Sequence, residues 1–367
     1  MIVAVVANTA WNLLNFRKSL IGALLAENHR VVLLAPDGPE CEQLSASGAE
    51  FIRLRHLRRK GVNPLRDLAL LYELRTVYAR EKIDVALHFT IKPVIYGSFA
   101  ARMTGVRNIS TLTGLGYTFL SGGWANGLVR SMYRIALRHA AAVLFHNHDD
   151  RQLFLDGGLV TEAQSQVVAG SGLQLDDYPL SPYEEAIPNR FLFVARLLTD
   201  KGIREYVAAA EAAREVNPEL SFHILGPLDP ENPAGIKAEE LERWVAEGII
   251  AYDGVSADVW PHLARASVVV LPSYREGCPR VLLEGGAVGR PLLTTDVPGC
   301  RAVVTAGENG CLVPACNADA LARAMLEMSA LPKEELKAMG LRGRKIVEEQ
   351  FDDQVVNRVY LSKVNIT

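Results

Sequence analysis

Short and almost continuously apolar runs alternate with helix-length stretches along this chain. The runs of the first half cover residues 2–7, 29–35, 50–54, 84–89, 107–112 and 141–146, and those of the second half cover 190–195, 220–226, 248–254, 266–272 and 290–295. Strands that lack polar alternation are typical of parallel sheets with helices on both faces. Two such series predict two doubly wound, Rossmann-like α/β domains.

The domain boundaries follow from the length and from one polar stretch. A chain of 367 residues is longer than one hydrophobic core usually supports, which also favours two domains. We predict a first domain over residues 1–172, a proline-bearing linker over 173–190 and a second domain over 191–349. Residues 350–367 have a helical pattern, and they either end the second domain or cross back onto the first.

Composition excludes several classes of protein. A net charge of −3 argues against a dedicated nucleic-acid-binding protein. No apolar run reaches the roughly 18 residues of a membrane span, and no basic region precedes the N-terminal apolar stretch, so we expect neither a span nor a secretory signal. The five cysteines lack the spacing of a disulfide framework or a zinc site. We therefore expect a cytoplasmic protein in a reducing compartment.

Two acids lie at a strand-to-helix junction of the second half. The stretch "SYREGCPRVLLEGGAVGRP" puts Glu276 just after a strand and Glu284 inside the next helix. Ligands of open α/β sheets bind at the carboxyl ends of the strands, which makes this junction a candidate site. The amides of Cys278, Arg280 and Val281 would form an anion site at the helix N-terminus, with Pro279 near the first helical position.

Two cations follow the strand at 190–195 and would reach the same edge of the sheet. Arg196 and Lys201, together with the helix amides, suit a diphosphate that binds without a metal. No Asp-x-Asp pair and no GxxxxGK[ST] loop occurs, so we expect neither a metal-dependent site nor a phosphate loop of the ATPase kind. Taken singly, each cation is more typical of a solvated loop.

These residues resemble the retaining glycosyltransferases of family four. The resemblance is strongest in "VARLLTDKG" (194–202), "PSYREGCPRVLLEGGAVGRPLLTTDVPGC" (272–300) and "GENGCLVP" (307–314), and it covers most of the chain. It implies the GT-B fold, in which two Rossmann-like domains face a cleft. It also implies that Arg196 and Lys201 hold the donor diphosphate, that Glu276 contacts the sugar, and that Glu284 binds the ribose hydroxyls.

The same resemblance implies the rest of the donor site and the reaction. Gly277 would join the helix amides, and the backbone around Val255 would frame the base. Transfer would proceed with retention by front-face attack, in which the donor phosphate helps to remove the acceptor proton. A UDP-sugar would be the co-substrate, with no metal and no other cofactor.

The chain also departs from many members of that family. Gly285 and Gly286 follow Glu284 where many relatives have Ala-Met. Each helical glycine costs about 1 kcal/mol against alanine, so we expect close backbone packing there. The histidine that many relatives have in the first domain has no clear counterpart. His88 could substitute for it, although a lone histidine at a strand end is more often structural.

Features of the first half suggest an anionic acceptor at a membrane. Lys92 opposes the dipole of the helix that it begins, and a bound anion would resolve that conflict; Arg17 is a similar case. We predict acceptor binding by Arg17, Lys92, Thr113 and Gly114. We also predict a membrane-facing surface that consists of Arg58, Arg59, Lys60 and Trp124. The competing interpretation is a solvated basic face beside an ordinary core loop.

The stretches "NTAWNLLNFR", "TIKPVIYGS" and "TGLGYTF" resemble the bacterial subgroup that acts on polyprenyl-diphosphate-linked sugars, such as N-acetylgalactosaminyl transferases. The resemblance implies a peripheral enzyme at the cytoplasmic membrane face, with an N-acetylhexosamine as the sugar and a lipid-linked glycan as the acceptor. A nucleotide-sugar epimerase of the same fold and a non-catalytic sugar-nucleotide-binding subunit stay open as alternatives. A dinucleotide oxidoreductase is disfavoured because no GxGxxG follows the first strand.

Overall fold

A computed structural model describes residues 1–58, 61, 63–115 and 124–366, and for residues 124 and 125 it describes the backbone alone. The chain divides into two compact units. The first consists of Met1–Gly172 and the C-terminal segment that begins at Asp353, and the second consists of Leu173–Asp352. The segment at the C-terminus thus belongs to the first unit.

The first unit contains a seven-stranded parallel sheet. Its strands are β1 (Ile2–Val6), β2 (Arg30–Ala35), β3 (Glu50–Arg53), β4 (Val85–Phe89), β5 (Arg107–Leu112), β6 (Ala142–Phe145) and β7 (Ser165–Val167). Their order is β3-β2-β1-β4-β5-β6-β7. The order reverses direction between β1 and β4, which is where ligands of doubly wound sheets bind.

Helices cover both faces of this sheet. They are α1 (Ala10–Ala26), α2 (Cys41–Ser45), α3 (Pro64–Glu81), α4 (Ser98–Thr104), α5 (Trp124–Leu137) and α6 (His148–Asp156), and a π-helical turn at Pro93–Gly97 precedes α4. Thr9 caps α1 by accepting a hydrogen bond from the amide of Asn12, at 3.0 Å. Asn63 caps α3 in the same way, and Pro64 occupies the first turn, where it costs no hydrogen bond.

The second unit repeats the architecture with a six-stranded parallel sheet in the order β10-β9-β8-β11-β12-β13. Its strands are β8 (Arg190–Val194), β9 (Ser221–Leu225), β10 (Ala251–Tyr252), β11 (Val268–Leu271), β12 (Leu292–Thr295) and β13 (Gly310–Val313). Its helices are α7 (Ile203–Val216), α8 (Ala238–Ala246), α9 (Trp260–Arg265), α10 (Arg280–Ala287), α11 (Ala318–Ala330) and α12 (Lys333–Ile346), and a π-helical turn follows at Val347–Phe351.

The last helix, α13 (Asp353–Val364), packs against α1 of the first unit. Its Asn357 donates a hydrogen bond from Nδ2 to Ser19 Oγ, at 2.7 Å. Val356 and Tyr360 are buried in the same core cluster as Leu13. These contacts explain why the helical pattern at the C-terminus returns to the first unit.

The prediction of two parallel-sheet α/β domains is confirmed, and each predicted strand has a counterpart. The short edge strands β7 and β13 were not predicted. The stretch predicted as a linker, 173–190, belongs to the second unit. Tyr183 is buried there, and Ser181 accepts hydrogen bonds from the buried Arg290. Across the described ranges, we find no helix that is both long and apolar enough to span a membrane.

Candidate functional site

The candidate site of the second unit lies where three neighbouring strands end. Strands β8, β11 and β12 are adjacent and parallel, so the segments that follow them leave the same edge of the sheet. Those segments carry Lys201, Glu276 and Gly299 respectively. The topology therefore brings together residues that are nearly 100 positions apart in sequence.

Lys201 and Glu276 form an ion pair at this edge. The Nζ atom of Lys201 lies 2.5 Å from Oε1 of Glu276, and Ser273 Oγ donates to the same oxygen at 2.7 Å. The two side chains are 22% and 11% exposed. A carboxylate and an ammonium that are largely shielded from water interact more strongly than an exposed pair. The arrangement holds one positive and one negative group in fixed positions.

Close backbone contacts hold both partners. Gly202 has φ +74°, and a Cβ atom there would lie 2.0 Å from the carbonyl oxygen of Pro272 at the end of β11. Only glycine tolerates that approach. The amide of Tyr274 also donates to the carbonyl of Asp200, at 3.0 Å. The turn that carries Lys201 is thereby fixed against the segment that carries Glu276.

The loop after β12 supports Glu276 from the other side. Gly299 has φ +79°, and a Cβ atom there would lie 2.6 Å from the carbonyl oxygen of Glu276. Thr295, the last residue of β12, donates from its hydroxyl to the carbonyl oxygen of Ser273. The backbone at Glu276 is therefore enclosed between two neighbouring segments.

Glu284 is the centre of a second cluster, on α10. Its Oε1 atom accepts hydrogen bonds from Arg280 Nε and from Tyr178 OH, each at 2.9 Å, and its side chain is 9% exposed. Burial raises the pKa of the Tyr178 phenol, and the Glu284 carboxylate raises it further. Burial alone would lower the pKa of Arg280, but Glu284 and Tyr178 together outweigh it, and that pKa lies above its usual value.

Tyr178 was not predicted, because it lies in the stretch interpreted as a linker. Arg344 of α12 donates from Nη1 to the carbonyl oxygens of Tyr178 and Ala287, each at 2.8 Å. Ala287 is the last residue of α10, so the guanidinium also satisfies a free carbonyl at a helix C-terminus. No local sequence pattern indicates this contact, which depends on three distant segments.

The two glycines after Glu284 lie in close contacts, as expected. A Cβ atom on Gly285 would lie 3.0 Å from Leu292 Cδ2 and 3.1 Å from Val269 Cγ2, which are side chains of the sheet. A Cβ atom on Gly286 would lie 3.1 Å from Val347 Cγ2. The predicted close packing is confirmed, and it lets α10 approach β11 and β12.

Arg196 pairs with a different acid from the one that Lys201 contacts. Its side chain is 42% exposed, and Nη1 donates to Asp229 Oδ2 at 3.0 Å. Among the described residues, no hydrogen bond or ion pair joins Arg196 to Lys201 or Glu276. The structure thus brings one of the two predicted diphosphate cations to the acid, and the other to a different loop.

The N-terminus of α10 supplies backbone donors. Pro279 occupies the cap position, next to the first helical residue Arg280, as predicted. The first amides of a helix, here those of Arg280 and Val281, have no partner within the helix. Gly277 is buried beside them. Burial raises the pKa of the Cys278 thiol to about 12, so this cysteine stays protonated and serves as a neutral neighbour.

The loop predicted to frame a base follows β10. Val255 is 65% exposed, while Gly254 accepts a hydrogen bond from the amide of Gly226 at 2.9 Å. Asp253 anchors the loop through Arg190 Nη2, at 2.6 Å, and His223 Nδ1, at 3.0 Å. Although burial opposes it, these partners hold the pKa of Asp253 below its usual value. An exposed loop on a charged anchor fits a shallow base site.

In the first unit, three of the four predicted acceptor residues meet at one cavity. Lys92, Thr113 and Gly114 line it with Arg58, and its volume is about 270 Å³. Lys92 Nζ also donates to Asp67 Oδ1 at 2.7 Å, and Asp67 is 4% exposed. A carboxylate of the protein therefore already offsets the charge of Lys92 at this helix start, so the conflict with the dipole does not by itself indicate a bound anion.

Arg17 does not line this cavity. Its side chain is buried, and its guanidinium carbon lies 3.9 Å from the ring centroid of Phe89. Burial lowers the pKa of Arg17 to about 10. The prediction that Arg17 joins Lys92 at an acceptor site is contradicted by this position in the core.

His88 has a structural environment. Its Nε2 atom lies 2.7 Å from Tyr78 OH and its Nδ1 atom 2.8 Å from Asn108 Oδ1. Burial lowers the pKa of His88 to about 4, so the ring is neutral at pH 7. The Asn108 oxygen can only accept, which means that Nδ1 carries the proton and Tyr78 donates to Nε2. The histidine is enclosed in the core.

The predicted membrane-facing surface is described in part. Arg58 is exposed, whereas Arg59, Lys60 and the side chain of Trp124 lie outside the described residues. An apolar stripe on α3 was not predicted: Leu65, Leu68 and Tyr72 are 81%, 49% and 52% exposed. Their spacing of three and four residues, visible in the sequence, puts them on one helix face.

No metal site was found in the part of the chain that the structure describes: no three or more His, Cys, Asp or Glu side chains are grouped to hold an ion. The groups that gather at the second sheet are instead an ammonium, two carboxylates, a guanidinium and helix amides. Such a set can bind a phosphate-bearing ligand through its cations and amides, and hydroxyl groups through its carboxylates.

Comparison with known families gives two matches. Residues 3–147 match the family described as glycosyl transferase 4-like, and residues 188–330 match the family described as glycosyl transferases group 1. The two matches fall on the two α/β units.

Individual proteins are similar over almost the whole chain. The N,N'-diacetylbacillosaminyl-diphospho-undecaprenol alpha-1,3-N-acetylgalactosaminyltransferase of Campylobacter jejuni is 25% identical over 365 residues, which covers 95% of this chain and 94% of the relative. The capsular polysaccharide biosynthesis glycosyltransferase CapM of Staphylococcus aureus is 24% identical over 347 residues, covering 91% and 89%. Anabaena HepE, crystallised with UDP and glucose, has a TM-score of 0.80 at 17% identity and full coverage of both chains, which shows a shared fold.

Proposed function

Because this chain belongs to the glycosyltransferases of the GT-B fold, we propose that it transfers a sugar, with retention, from a UDP-sugar to a polyprenyl-diphosphate-linked glycan. The proposed sugar is an N-acetylhexosamine. Transfer needs no metal ion, and the protein acts as a peripheral enzyme at the cytoplasmic membrane face. The observation that carries the proposal is the Lys201–Glu276 ion pair at the carboxyl edge of the second sheet, followed by helix α10 with the buried Glu284.

The second unit would bind the donor. The ammonium of Lys201 and the first amides of α10 attract the diphosphate, and Arg196 reaches it once its contact with Asp229 opens. Glu276 accepts from hydroxyls of the sugar. Glu284 accepts from the ribose, since a carboxylate that is already oriented by Arg280 and Tyr178 makes strong, charge-assisted hydrogen bonds. The complex of HepE with UDP supports the choice of nucleotide for a chain of this fold.

The reaction would exchange one glycosidic bond for another. The acceptor hydroxyl oxygen bonds to C1 of the sugar from the face that the diphosphate leaves, and the bond between C1 and the diphosphate oxygen breaks with its electron pair on oxygen. The acceptor proton passes to a phosphate oxygen, so UDP is the second product. Negative charge grows on the diphosphate during this step, and a positioned ammonium such as Lys201 stabilises it.

The acceptor class rests on the relatives and on the first unit. The Campylobacter relative acts on a diphospho-undecaprenol-linked sugar, as its name states. The exposed stripe of Leu65, Leu68 and Tyr72 on α3 supports a membrane surface, because Arg66 and Arg75 are exposed on the same helix. Apolar side chains beside cations suit an anionic lipid surface.

A transfer assay tests the proposal. The protein is incubated with UDP-N-acetylhexosamines and a short polyprenyl-diphosphate-linked sugar, with a metal chelator present. We expect a product that is one sugar longer and has the donor's anomeric configuration. An inverted product would contradict retention, and loss of activity with the chelator would contradict metal independence. An epimerised donor without any acceptor would favour the epimerase, and donor binding without turnover would favour the non-catalytic subunit.

Membrane binding has its own test. We expect the variant Leu65→Asp/Leu68→Asp to sediment less with vesicles that contain anionic lipid, because it removes buried apolar area from the contact. The control is Val216→Asp, which changes a side chain that is 70% exposed in the second unit. If both variants sediment with the vesicles as much as the unmodified protein does, the stripe on α3 is not the membrane-binding surface.

A further inference from the structure

One cavity is lined entirely by residues of the first unit. It has a volume of about 270 Å³ and opens at the carboxyl edge of the first sheet. Its lining comes from the segments that follow four strands: Asn8 after β1, Arg58 after β3, Thr90 and Lys92 after β4, and Thr113 after β5. Typical small-molecule sites measure roughly 300–1,000 Å³, so this cavity suits a polar group rather than a whole lipid or glycan.

The cavity contains a cation that the protein holds in position. Lys92 Nζ donates to the buried carboxylate of Asp67 at 2.7 Å. Burial and the neighbouring Asp67 carboxylate raise the pKa of the Tyr96 phenol to about 12. An ammonium has three donors, so two remain for a ligand after the contact with Asp67. The carboxylate orients Lys92 and keeps it at the start of a helical turn that its charge would otherwise disfavour.

A second cation and a strained hydroxyl complete the lining. Arg58 is exposed, and no ion pair joins it to another described residue. Thr90 has φ +71°, which is rare for a β-branched side chain. Its buried Oγ1 atom has no hydrogen-bond partner within the described ranges. Backbone strain of this kind is concentrated at active sites and ligand sites. A buried hydroxyl without a partner can donate a hydrogen bond to a ligand.

We infer that this cavity binds a diphosphate group, and that in the enzyme it is the diphosphate that links the acceptor glycan to its lipid. The inference rests on the proposed function for the source of the group. The oriented ammonium of Lys92, the guanidinium of Arg58 and the hydroxyl of Thr90 supply donors of the kind that phosphate oxygens accept. Because Asp67 already neutralises the charge of Lys92, binding of the diphosphate depends on the charge of Arg58 and on hydrogen bonds.

Direct binding tests the inference without turnover. The probes are a short polyprenyl diphosphate, the matching monophosphate and UDP, each titrated into the full chain. Loss of Lys92 alone would leave the buried Asp67 carboxylate without its cation, so the test variant is Lys92→Met/Asp67→Asn. We expect its dissociation constant for the polyprenyl diphosphate to rise roughly tenfold or more, and the preference over the monophosphate to fall. The matched control Lys18→Met changes an exposed lysine of α1 and leaves both unchanged.

Thr90→Gly separates binding from stability. Glycine relieves the positive φ, so the melting temperature is expected to rise or stay level while the affinity for the diphosphate falls. A purely structural Thr90 would leave the affinity unchanged, and that result would overturn the inference.

The UDP titration distinguishes the two sources of a diphosphate. An unchanged UDP affinity in the Lys92→Met/Asp67→Asn variant assigns the cavity to the acceptor, whereas a weakened one assigns it to the donor and overturns the inference. If transfer occurs and the cavity variants do not affect it, the inference about the cavity alone is refuted. If no transfer occurs, but the cavity variants still abolish binding of the diphosphate, the proposed function alone is refuted.

Discussion

The ammonium of Lys201 lies 2.5 Å from a carboxylate oxygen of Glu276, although 75 residues separate them in sequence. The pair is shielded from water and stands at the edge where three strands end. In the proposed reaction Glu276 orients the sugar while Lys201 stabilises the departing diphosphate. The pair would thus keep both groups in position before the donor arrives, and little reorganisation would be needed during transfer.

Removal of the ammonium should affect turnover more than binding. We expect Lys201→Met to lower kcat about 100-fold, because a positioned charge that acts on the developing oxyanion is typically worth that much. The change in KM for the UDP-sugar should be smaller. Steady-state kinetics measures both, and Lys345→Met, at a lysine that is 73% exposed on α12, is the control. An unchanged kcat in Lys201→Met would show that Lys201 has no role in the chemical step.

Glu284 should report on the ribose specifically. We expect Glu284→Ala to weaken UDP binding by about 1.5–3 kcal/mol, the usual worth of a charge-assisted hydrogen bond. Tyr178→Phe should weaken it by about 1 kcal/mol, because it removes one of the groups that orient the carboxylate. Calorimetry with UDP and 2′-deoxy-UDP completes a double-mutant cycle. If the alanine variant still distinguishes the two nucleotides as the unmodified protein does, Glu284 does not read the ribose.

Gly285→Ala should destabilise the second unit despite the better helix propensity of alanine. The new Cβ atom would lie 3.0–3.2 Å from side-chain atoms of Leu292 and Val269, so the helix must shift from the sheet. We expect a cost of about 1–3 kcal/mol, the range for overpacking. Gly22→Ala in α1 is the control, since nothing lies within 4 Å of its new Cβ atom. That substitution should stabilise by about 1 kcal/mol. Chemical denaturation compares the free energies of unfolding of the two variants. Equal changes would show that α10 can accommodate the extra methyl group without moving from the sheet.

His88 should make the first unit less stable as the pH falls. Burial lowers its pKa to about 4, whereas an unfolded histidine has a pKa near 6.5. Between these values the unfolded chain binds a proton that the folded chain excludes. The part of the folding stability that depends on a neutral His88 is therefore fully present above pH 6.5, and it is lost as the pH falls through 4. We expect about 2 kcal/mol less stability at pH 5 than at pH 7 from His88 alone.

The variant His88→Gln checks that pH dependence. Glutamine does not titrate, so the difference between denaturation at pH 7 and at pH 5 should shrink by about 2 kcal/mol. The buried His146, whose pKa burial lowers to about 3, leaves a residual slope of the same sign. Equal differences in the variant and the unmodified protein would mean that His88 is protonated in the folded state.

The strands were predictable because their apolar runs are continuous, which fixes both their positions and their parallel arrangement. The exceptions are β7, with only Ser165–Val167, and β13, which begins with a glycine. Both lie at sheet edges, where a strand needs neither length nor a fully apolar sequence. The signal on which the prediction depends is weakest at those positions.

The site was predictable only where local pattern determines position. Strand ends indicated Lys201 and Glu276 as residues of one sheet edge, and the structure pairs them; Glu284 lies on the helix that follows, in a separate cluster. The partner of Lys92 is Asp67, 25 residues earlier on another helix, and Tyr178 reaches Glu284 over 106 positions. Such pairs arise from the packing of whole elements, and no spacing in the sequence records them.

The central claim is that the second unit binds a nucleotide sugar through Lys201 and Glu284 without a metal. The most direct measurement is thermal stability against a panel of nucleoside diphosphates, with a chelator present, for the unmodified protein, Glu284→Ala and the exposed control Glu327→Ala. UDP at 100 times its Kd should stabilise the unmodified protein and the control by about 2.7 kcal/mol, and Glu284→Ala much less. No stabilisation by any nucleoside diphosphate, or the same stabilisation in Glu284→Ala, would contradict the account.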